Sequence, residues 1–273
     1  MTLAGEYPVR LLCRALDCPR AGLYRPATER DEAEPRRAIE RLAGSWPTYG
    51  YRRITALLRR EGRSVNGKRV RRVMTELGLK CRAPVRRVRT TDSGHDFPRY
   101  PNLVEGLAAE SPEHVWVADI TYVRVRVEFV YLAVLMDVFT RRIRGWELGR
   151  SLDQSLTFNA LTRALRGHTP RIHHSDQGVQ YAATDYVERL AKRGVSISMA
   201  AVGKPEENGY AERLMRTIKE EEVALTEYRD FADAKRQLGR FLDAVYNRKR
   251  IHSALGYLTP EEFEQHWHAG RAG

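Results

Sequence analysis

The sequence predicts an α/β protein in two parts: a mixed sheet flanked by helices, preceded by an all-α, strongly basic front segment. Three observations predict it. From Val115 onward, three apolar runs rich in β-branched residues follow one another, and helical and strand periods then alternate, as in a sheet covered by helices. Between Arg36 and Leu77, apolar residues recur only at helical spacing. Charge is divided along the same line. The 273 residues carry 47 Lys and Arg against 35 Asp and Glu, and 17 of those basic residues but only 3 acidic ones lie between Arg36 and Arg89. That local surplus of 14 exceeds the whole chain's +12, so the remainder is close to neutral.

The elements follow in order. Pro8 to Leu16 puts Val9, Leu12, Cys13 and Leu16 on one helical face. Asp17-Cys18-Pro19 breaks that helix and Arg20 to Tyr24 starts another. Residues 1–30 therefore read as a short helix-turn-helix or an ordinary helical hairpin, with Thr28 to Pro35 a polar linker. Residues 36–81 form a second helical unit: Arg36 to Ala43 around Ile39 and Leu42, a turn from Trp46 to Tyr51, and Arg52 to Glu61 around Ile54, Leu57 and Leu58. Its last helix, Lys68 to Leu77, buries Val70, Val73 and Met74 and stops at Gly78. Lys68, Arg69, Arg71 and Arg72 then share the outer face, with Arg52 and Arg53 nearby. This is either a groove-reading surface for DNA or a solvated basic face. The stretch from Lys80 to Asn102, rich in Arg, Thr, Pro and Gly, makes 82–111 a basic linker.

The core is expected over 112–228. Trp116 to Val127, Val130 to Val138 and Arg142 to Leu148 read as strands, with a turn at Glu128-Phe129. Asp153 to Leu165 is an amphipathic helix, Arg171 to His174 a brief strand, Tyr186 to Lys192 a helix and Val195 to Met199 a strand. After a polar loop, Asn208 to Val223 and Ala232 to Tyr246 are helical, and 229–273 reads as a C-terminal helical extension.

Composition narrows the function. A surplus of this size favours a polyanionic partner. No run approaches the ~20 apolar residues of a membrane span, and Met1 to Glu6 lacks the charged-then-apolar pattern of a secretion signal. The cysteines, Cys13, Cys18 and Cys81, are odd in number and scattered, which argues against a disulfide framework and suits a reducing, cytoplasmic setting. Cys13 and Cys18 lack a second pair at zinc spacing.

Three carboxylates stand in three different settings. Asp119 lies inside the first strand, among Trp116, Val117, Ile120 and Tyr122, where an unpaired acid is costly. Asp176 follows a short strand, in His174-Ser175-Asp176-Gln177-Gly178, and strand ends are where sheet proteins place reactive groups. Glu212 sits early on a helix. Singly, each has a structural explanation: a sheet-edge Asp, a turn Asp, a first-turn Glu that favours the helix dipole. On the helix, Asn208, Arg216 and Lys219 fall on the Glu212 face, either to present cations and a metal ligand to one DNA strand or as a surface Glu212–Arg216 pair.

Together, with 35 residues between Asp176 and Glu212, they resemble the DDE catalytic core of retroviral integrases and insertion-sequence transposases. The flanking residues sharpen the resemblance to the downstream-frame transposase of the insertion-sequence-three family: Trp116 to Tyr122, Tyr131 to Val134 with Asp137 and Arg141 to Ile143, His174 to Gly178 with Gln180-Tyr181, and Asn208 with Ala211-Glu212. Tyr246-Asn247, His252 to Pro260, Tyr49 to Ile54 and Val65 to Val70 extend it along nearly the whole chain. One departure stands out: many relatives carry Cys-Trp-Asp before the Asn, where this chain has Gly203 to Glu207, so the loop before Glu212 differs while the triad does not.

The resemblance implies a ribonuclease-H-like core and DNA cleavage followed by strand transfer. It assigns Asp119, Asp176 and Glu212 as catalytic ligands of two Mg²⁺ ions, with Mn²⁺ able to substitute, Asp119 bridging both and Lys219 as the basic residue two turns on. Carboxylates suit such hard cations. It implies double-stranded element ends and target DNA as partners, assembly as a homo-oligomer on DNA, and an upstream-frame segment fused by frameshifting, of which this chain would be the downstream part. Two rival functions share these residues: a ribonuclease-H-like nuclease that cuts without joining, and a decayed transposase acting as a DNA-binding repressor.

Overall fold

The computed structural model describes residues 7–15, 17, 19–20, 33–79, 100–126, 128–201 and 204–270. The second helix expected at Arg20 to Tyr24, and most of the expected linker, lie outside the described residues. Helix α1 (Val9–Ala15) buries Leu12 and Cys13.

Helices α2 (Ala33–Ser45), α3 (Tyr51–Arg60) and α4 (Gly67–Glu76) form the basic unit. Their buried residues sit at helical spacing, Ile39 with Leu42, Ile54 with Leu58, Val70 with Val73 and Met74, and together make one small core. Asn66 caps α4 by accepting the Lys68 amide at 2.9 Å, and Gly78 takes φ +66° just beyond its end. Ile251, from far along the chain, completes this core, and its amide donates to the Tyr49 hydroxyl at 3.2 Å. The basic unit is thereby docked on the rest of the protein.

The second part is a five-stranded sheet in the order β3-β2-β1-β4-β5, made of β1 (Val115–Val125), β2 (Glu128–Asp137), β3 (Ile143–Gly149), β4 (Ile172–Ser175) and β5 (Ser196–Met199). The first three strands are antiparallel neighbours, and β4 and β5 add in parallel on the β1 side. Period two splits β1 between two cores. Val115, Val117, Val123 and Val125 face α7 (Gly209–Ile218) and α8 (Phe231–Arg240), while Trp116 and Ala118 face α5 (Gln154–Ala164) and α6 (Thr184–Ala191). The expected C-terminal extension packs into the first of these cores through Ala234, Leu238, Phe241, Leu242 and Tyr246. Gly145 lets α5 lie directly on β3: a Cβ there would come within 2.4 Å of the Ala160 carbonyl and 2.6 Å of the Ala164 amide.

Two local expectations change. The turn expected at Glu128-Phe129 lies earlier, because Val125 pairs with Glu128 and Arg124 with Phe129, and Arg126 takes the left-handed φ of 47°. The two long helices do not stay regular: Lys219–Val223 after α7 and Phe241–Tyr246 after α8 widen into π-helical turns. The final helix, α9 (Pro260–Ala269), opens with a capping box of Thr259 and Glu262.

Candidate active site

Strand pairing brings the two aspartates together. Parallel β1 and β4 are in register at Val117 and His174, and each Asp lies two residues beyond that pair. Asp119 and Asp176 therefore leave neighbouring strands on the same side of the sheet, at the end where the β1–β4 ladder runs out. Asp119 accepts its neighbour Ile120's amide at 2.8 Å, and Asp176 accepts that of Gly178 at 3.1 Å. Beneath them the Tyr181 hydroxyl is fully buried without a hydrogen-bond partner, and burial together with the charge of Asp176 and Asp119 raises its pKa.

Two side chains pin the start of α7 to those strands. Asn208, immediately before the helix, is buried and donates through Nδ2 to the Ala118 carbonyl at 3.2 Å. His174 sits between Ser198 Oγ at 2.8 Å from Nδ1 and the Glu207 carbonyl at 3.2 Å from Nε2. Glu207 is itself held by Asn102 at 2.9 Å and by the Ala201 amide at 2.8 Å. Burial keeps His174 and His173 below the usual histidine range, so both are neutral, and the Tyr186 hydroxyl contacts His173 Nε2 at 2.8 Å. His174 thus ties β4 to β5 through Ser198 and to the segment before α7 through Glu207.

Glu212 is exposed on the first turn of α7. Its charge reaches Asp119, whose pKa rises from 3.8 to about 7. Burial is the main cause, then Asp176, with Glu212 adding to it and Lys219 opposing. Among the described residues, no three Asp, Glu, His or Cys side chains already surround one point. The donors nonetheless fit a hard divalent cation: all are carboxylates, and Asp119 faces two anionic neighbours that the one lysine does not offset.

The cationic residues divide. Arg216 is exposed, and Lys219 places Nζ 4.3 Å from the centre of the Tyr122 ring. Asn208, expected on the DNA-facing side, is turned inward instead, because its amide serves the Ala118 carbonyl. Arg53 is turned inward too: it pairs with Glu221 at 3.2 Å and lies 4.8 Å over the Tyr49 ring, so it ties the basic unit to the core. Lys68, Arg71, Arg72 and Arg52 remain on the surface, Arg72 paired with Glu76 at 2.7 Å, and Arg69 is half-buried. A groove of about 930 Å³ runs beside α7, rimmed by Arg53, Arg141, Arg213, Arg216 and Lys219. Sequence reasoning missed Arg213 and Arg141, the latter stacked 4.2 Å over Tyr210. The exposed Tyr122 and Phe129 were also missed, although aromatic residues at outward positions of a strand were the signal.

Known proteins resemble this chain in sequence and in fold. Residues 109–205 and 193–260 match models of the integrase core domain, and residues 29–87 match an HTH-like domain. The chain is 32% identical over 268 residues to the insertion element IS600 uncharacterized 31 kDa protein of Shigella sonnei, covering 94% of this chain and 98% of that one. It is 30% identical to the transposase InsF for insertion sequence IS3A of Escherichia coli (strain K12), covering 95% of both. Among solved structures, a chain of the simian T-cell lymphotropic virus intasome in complex with PP2A regulatory subunit B56 gamma matches with a TM-score of 0.51 at 16% identity, over 83% of this chain and 74% of that one, a likeness of fold alone. The mixed sheet with its flanking helices is an integrase-type, ribonuclease-H-like core behind an HTH-like segment. The chain belongs to the IS3 family of insertion-sequence transposases.

Proposed function

We propose that this protein catalyses 3′-end cleavage and strand transfer of an insertion sequence, a polynucleotidyl transfer at Asp119, Asp176 and Glu212. The observation that carries the reading is the β1–β4 register, which sets Asp119 beside Asp176, with the start of α7 pinned to the same strands through Asn208 and His174. The three carboxylates would hold Mg²⁺, or Mn²⁺ in its place. When bound, the metal supplies activation of an oxygen nucleophile and stabilisation of the leaving oxygen. The protein's own part is positional. The strands fix two ligands, α7 brings the third, and Lys219 and Arg216 attract the DNA phosphates. The partners are double-stranded element ends and target DNA, on which the protein assembles with copies of itself and with any upstream-frame segment. Among the described residues no helix is long and apolar enough to cross a membrane, and the proposed place of action is the cytoplasm.

The test is a DNA end bearing a free 3′-hydroxyl, incubated with the protein and Mg²⁺ without nucleotide. Joined product should form with the native protein and vanish with Asp176→Asn and Glu212→Gln, while DNA binding persists. A product that is cut but never joined would favour a simple nuclease, and wild-type joining by Asp176→Asn would refute the site.

A further inference from the structure

We propose that the outer face of the β1–β2 hairpin is a stacking platform for unpaired bases at the DNA end being processed. The inference rests on the proposed action on DNA and adds a binding surface to it. Toward the hairpin tip, residues alternate strictly between buried and outward positions. Thr121, Val123 and Val125 are buried, while Tyr122, Arg124 and Arg126 face out. Across the ladder, Tyr131 opposes Tyr122 and the outward Phe129 opposes Arg124. Tyr122 and Phe129 are 39% and 54% exposed, and their rings meet edge to face at 5.7 Å. Solvent-facing strand positions carry no requirement for large aromatic rings, and this face interleaves them with arginines. Aromatic faces set among cations are the surface on which single-stranded nucleic acid stacks its bases and lays its backbone.

Its position gives the platform its partner. The β1–β4 ladder covers only Val115 to Val117, so the edge of β1 beyond Ala118 is left to α7 and its π-helical continuation. Lys219 reaches across that edge. Its ammonium lies 4.3 Å from the centre of the Tyr122 ring, and its charge also acts on Asp119. Asp119 lies on the α7 face of β1 and Tyr122 on the opposite face, so Lys219 spans the strand edge between them, and a phosphate drawn to Lys219 at that edge places the base of its nucleotide against Tyr122 and Phe129. A base inside a duplex has both faces already stacked on its neighbours, so only an opened or single-stranded end can use these rings. Arg124, Arg126 and Lys219 supply the positive charge that its backbone requires.

The test uses the full chain without metal, so it does not depend on catalysis, and a protein inactive in strand transfer still answers it. The probes are a single-stranded oligonucleotide containing 2-aminopurine and a blunt duplex of the same length. Native protein should quench the 2-aminopurine. Tyr122→Leu with Phe129→Leu should abolish the quench and weaken single-strand binding by roughly 5- to 100-fold, with an unchanged salt slope because no charge is removed. Duplex binding should change by no more than about twofold, since it uses phosphates rather than base faces. Tyr122→Trp should retain both quench and affinity. Equal losses on both probes, or single-strand binding unaltered by the leucine pair, would overturn the proposal. So would leucine variants that bind normally but no longer self-associate on a sizing column, which would make the face a contact between copies.

Discussion

Asp119→Asn should make the metal-free protein more stable at neutral and alkaline pH while abolishing strand transfer. Asn keeps the size of the side chain and can still accept the Ile120 amide through Oδ1, a bond of 2.8 Å, so the change removes charge and little else. In the native protein, burial and the charges of Asp176 and Glu212 raise Asp119 from 3.8 to about 7. Three pKa units correspond to about 4 kcal/mol, and the carboxyl's remaining solvent exposure reduces the expected effect to about 1–3 kcal/mol. The sign follows from proton counting. Between about pH 4 and pH 7 the folded state holds a proton that the unfolded chain has released. The stability due to this carboxyl is therefore complete below pH 4 and lost as pH rises through 7. Denaturant melts in a chelator should find the Asn variant more stable at pH 8, with the difference closing toward pH 4. Added Mg²⁺ or Mn²⁺ at pH 8 should stabilise the native protein and not the variant. A variant less stable than native at pH 8 without metal, or a difference independent of pH, would refute the reasoning.

Three further outcomes follow from the geometry. Arg250 and Glu221 are nearly buried and joined by bonds of 2.8 and 2.7 Å, so Arg250→Met should cost about 3–5 kcal/mol in denaturant melts, and a cost below about 1 kcal/mol would contradict a buried pair. Gly145→Ala should lower stability by about 1–3 kcal/mol, because its Cβ would lie 2.4 Å from the Ala160 carbonyl; an unchanged melting midpoint would show that α5 is not seated on β3 as described. Lys68→Ala with Arg71→Ala should weaken duplex binding and reduce the log–log salt slope by roughly one for each phosphate left unneutralised, whereas Arg53→Ala should lower stability and leave the slope unchanged. Equal slope changes in the two cases would mean that Arg53 also meets DNA.

The parts of this protein written in local periodicity were legible. Val70, Val73 and Met74 announce α4 and its basic outer face, and the alternation from Val115 announces β1. The three carboxylates could be proposed as a set from their settings and spacing, and of that set the strand register brings Asp119 and Asp176 to the ends of one ladder. Long-range pairings were not. Sequence periodicity shows which face of α3 is polar, but not that Arg53 meets Glu221, 168 residues away, rather than solvent. Helical spacing grouped Asn208 with Glu212, yet Asn208 precedes the regular helix and its amide serves the carbonyl beside Asp119. The π-helical turn at Lys219–Val223 has no period of its own to betray it, and it changes the direction of every side chain that follows Ile218.

These placements give the proposed site a division of labour. One acid stands on β1 and a second just past the end of the neighbouring β4, both beyond the paired residues of that ladder, while the third rides on a helix held by a side-chain amide and an imidazole. The same helix continues into the turn where Glu221 joins Arg53 of the basic unit and Arg250 of the C-terminal segment. Glu221 thereby links the basic unit and the C-terminal segment to the turn that follows the helix carrying Glu212. On the proposed reading, DNA held by the Lys68–Arg72 face acts on the acid not fixed by the sheet. Burial and the neighbouring charges of Asp176 and Glu212 disfavour the ionised form of Asp119, a cost that a proton removes at low pH and that, on the proposed reading, a bound cation would offset at neutral pH. On the proposed reading, a site with equivalent places for an entering and a leaving oxygen would need no second set of catalytic groups for joining after cutting, and the same three carboxylates would serve both steps.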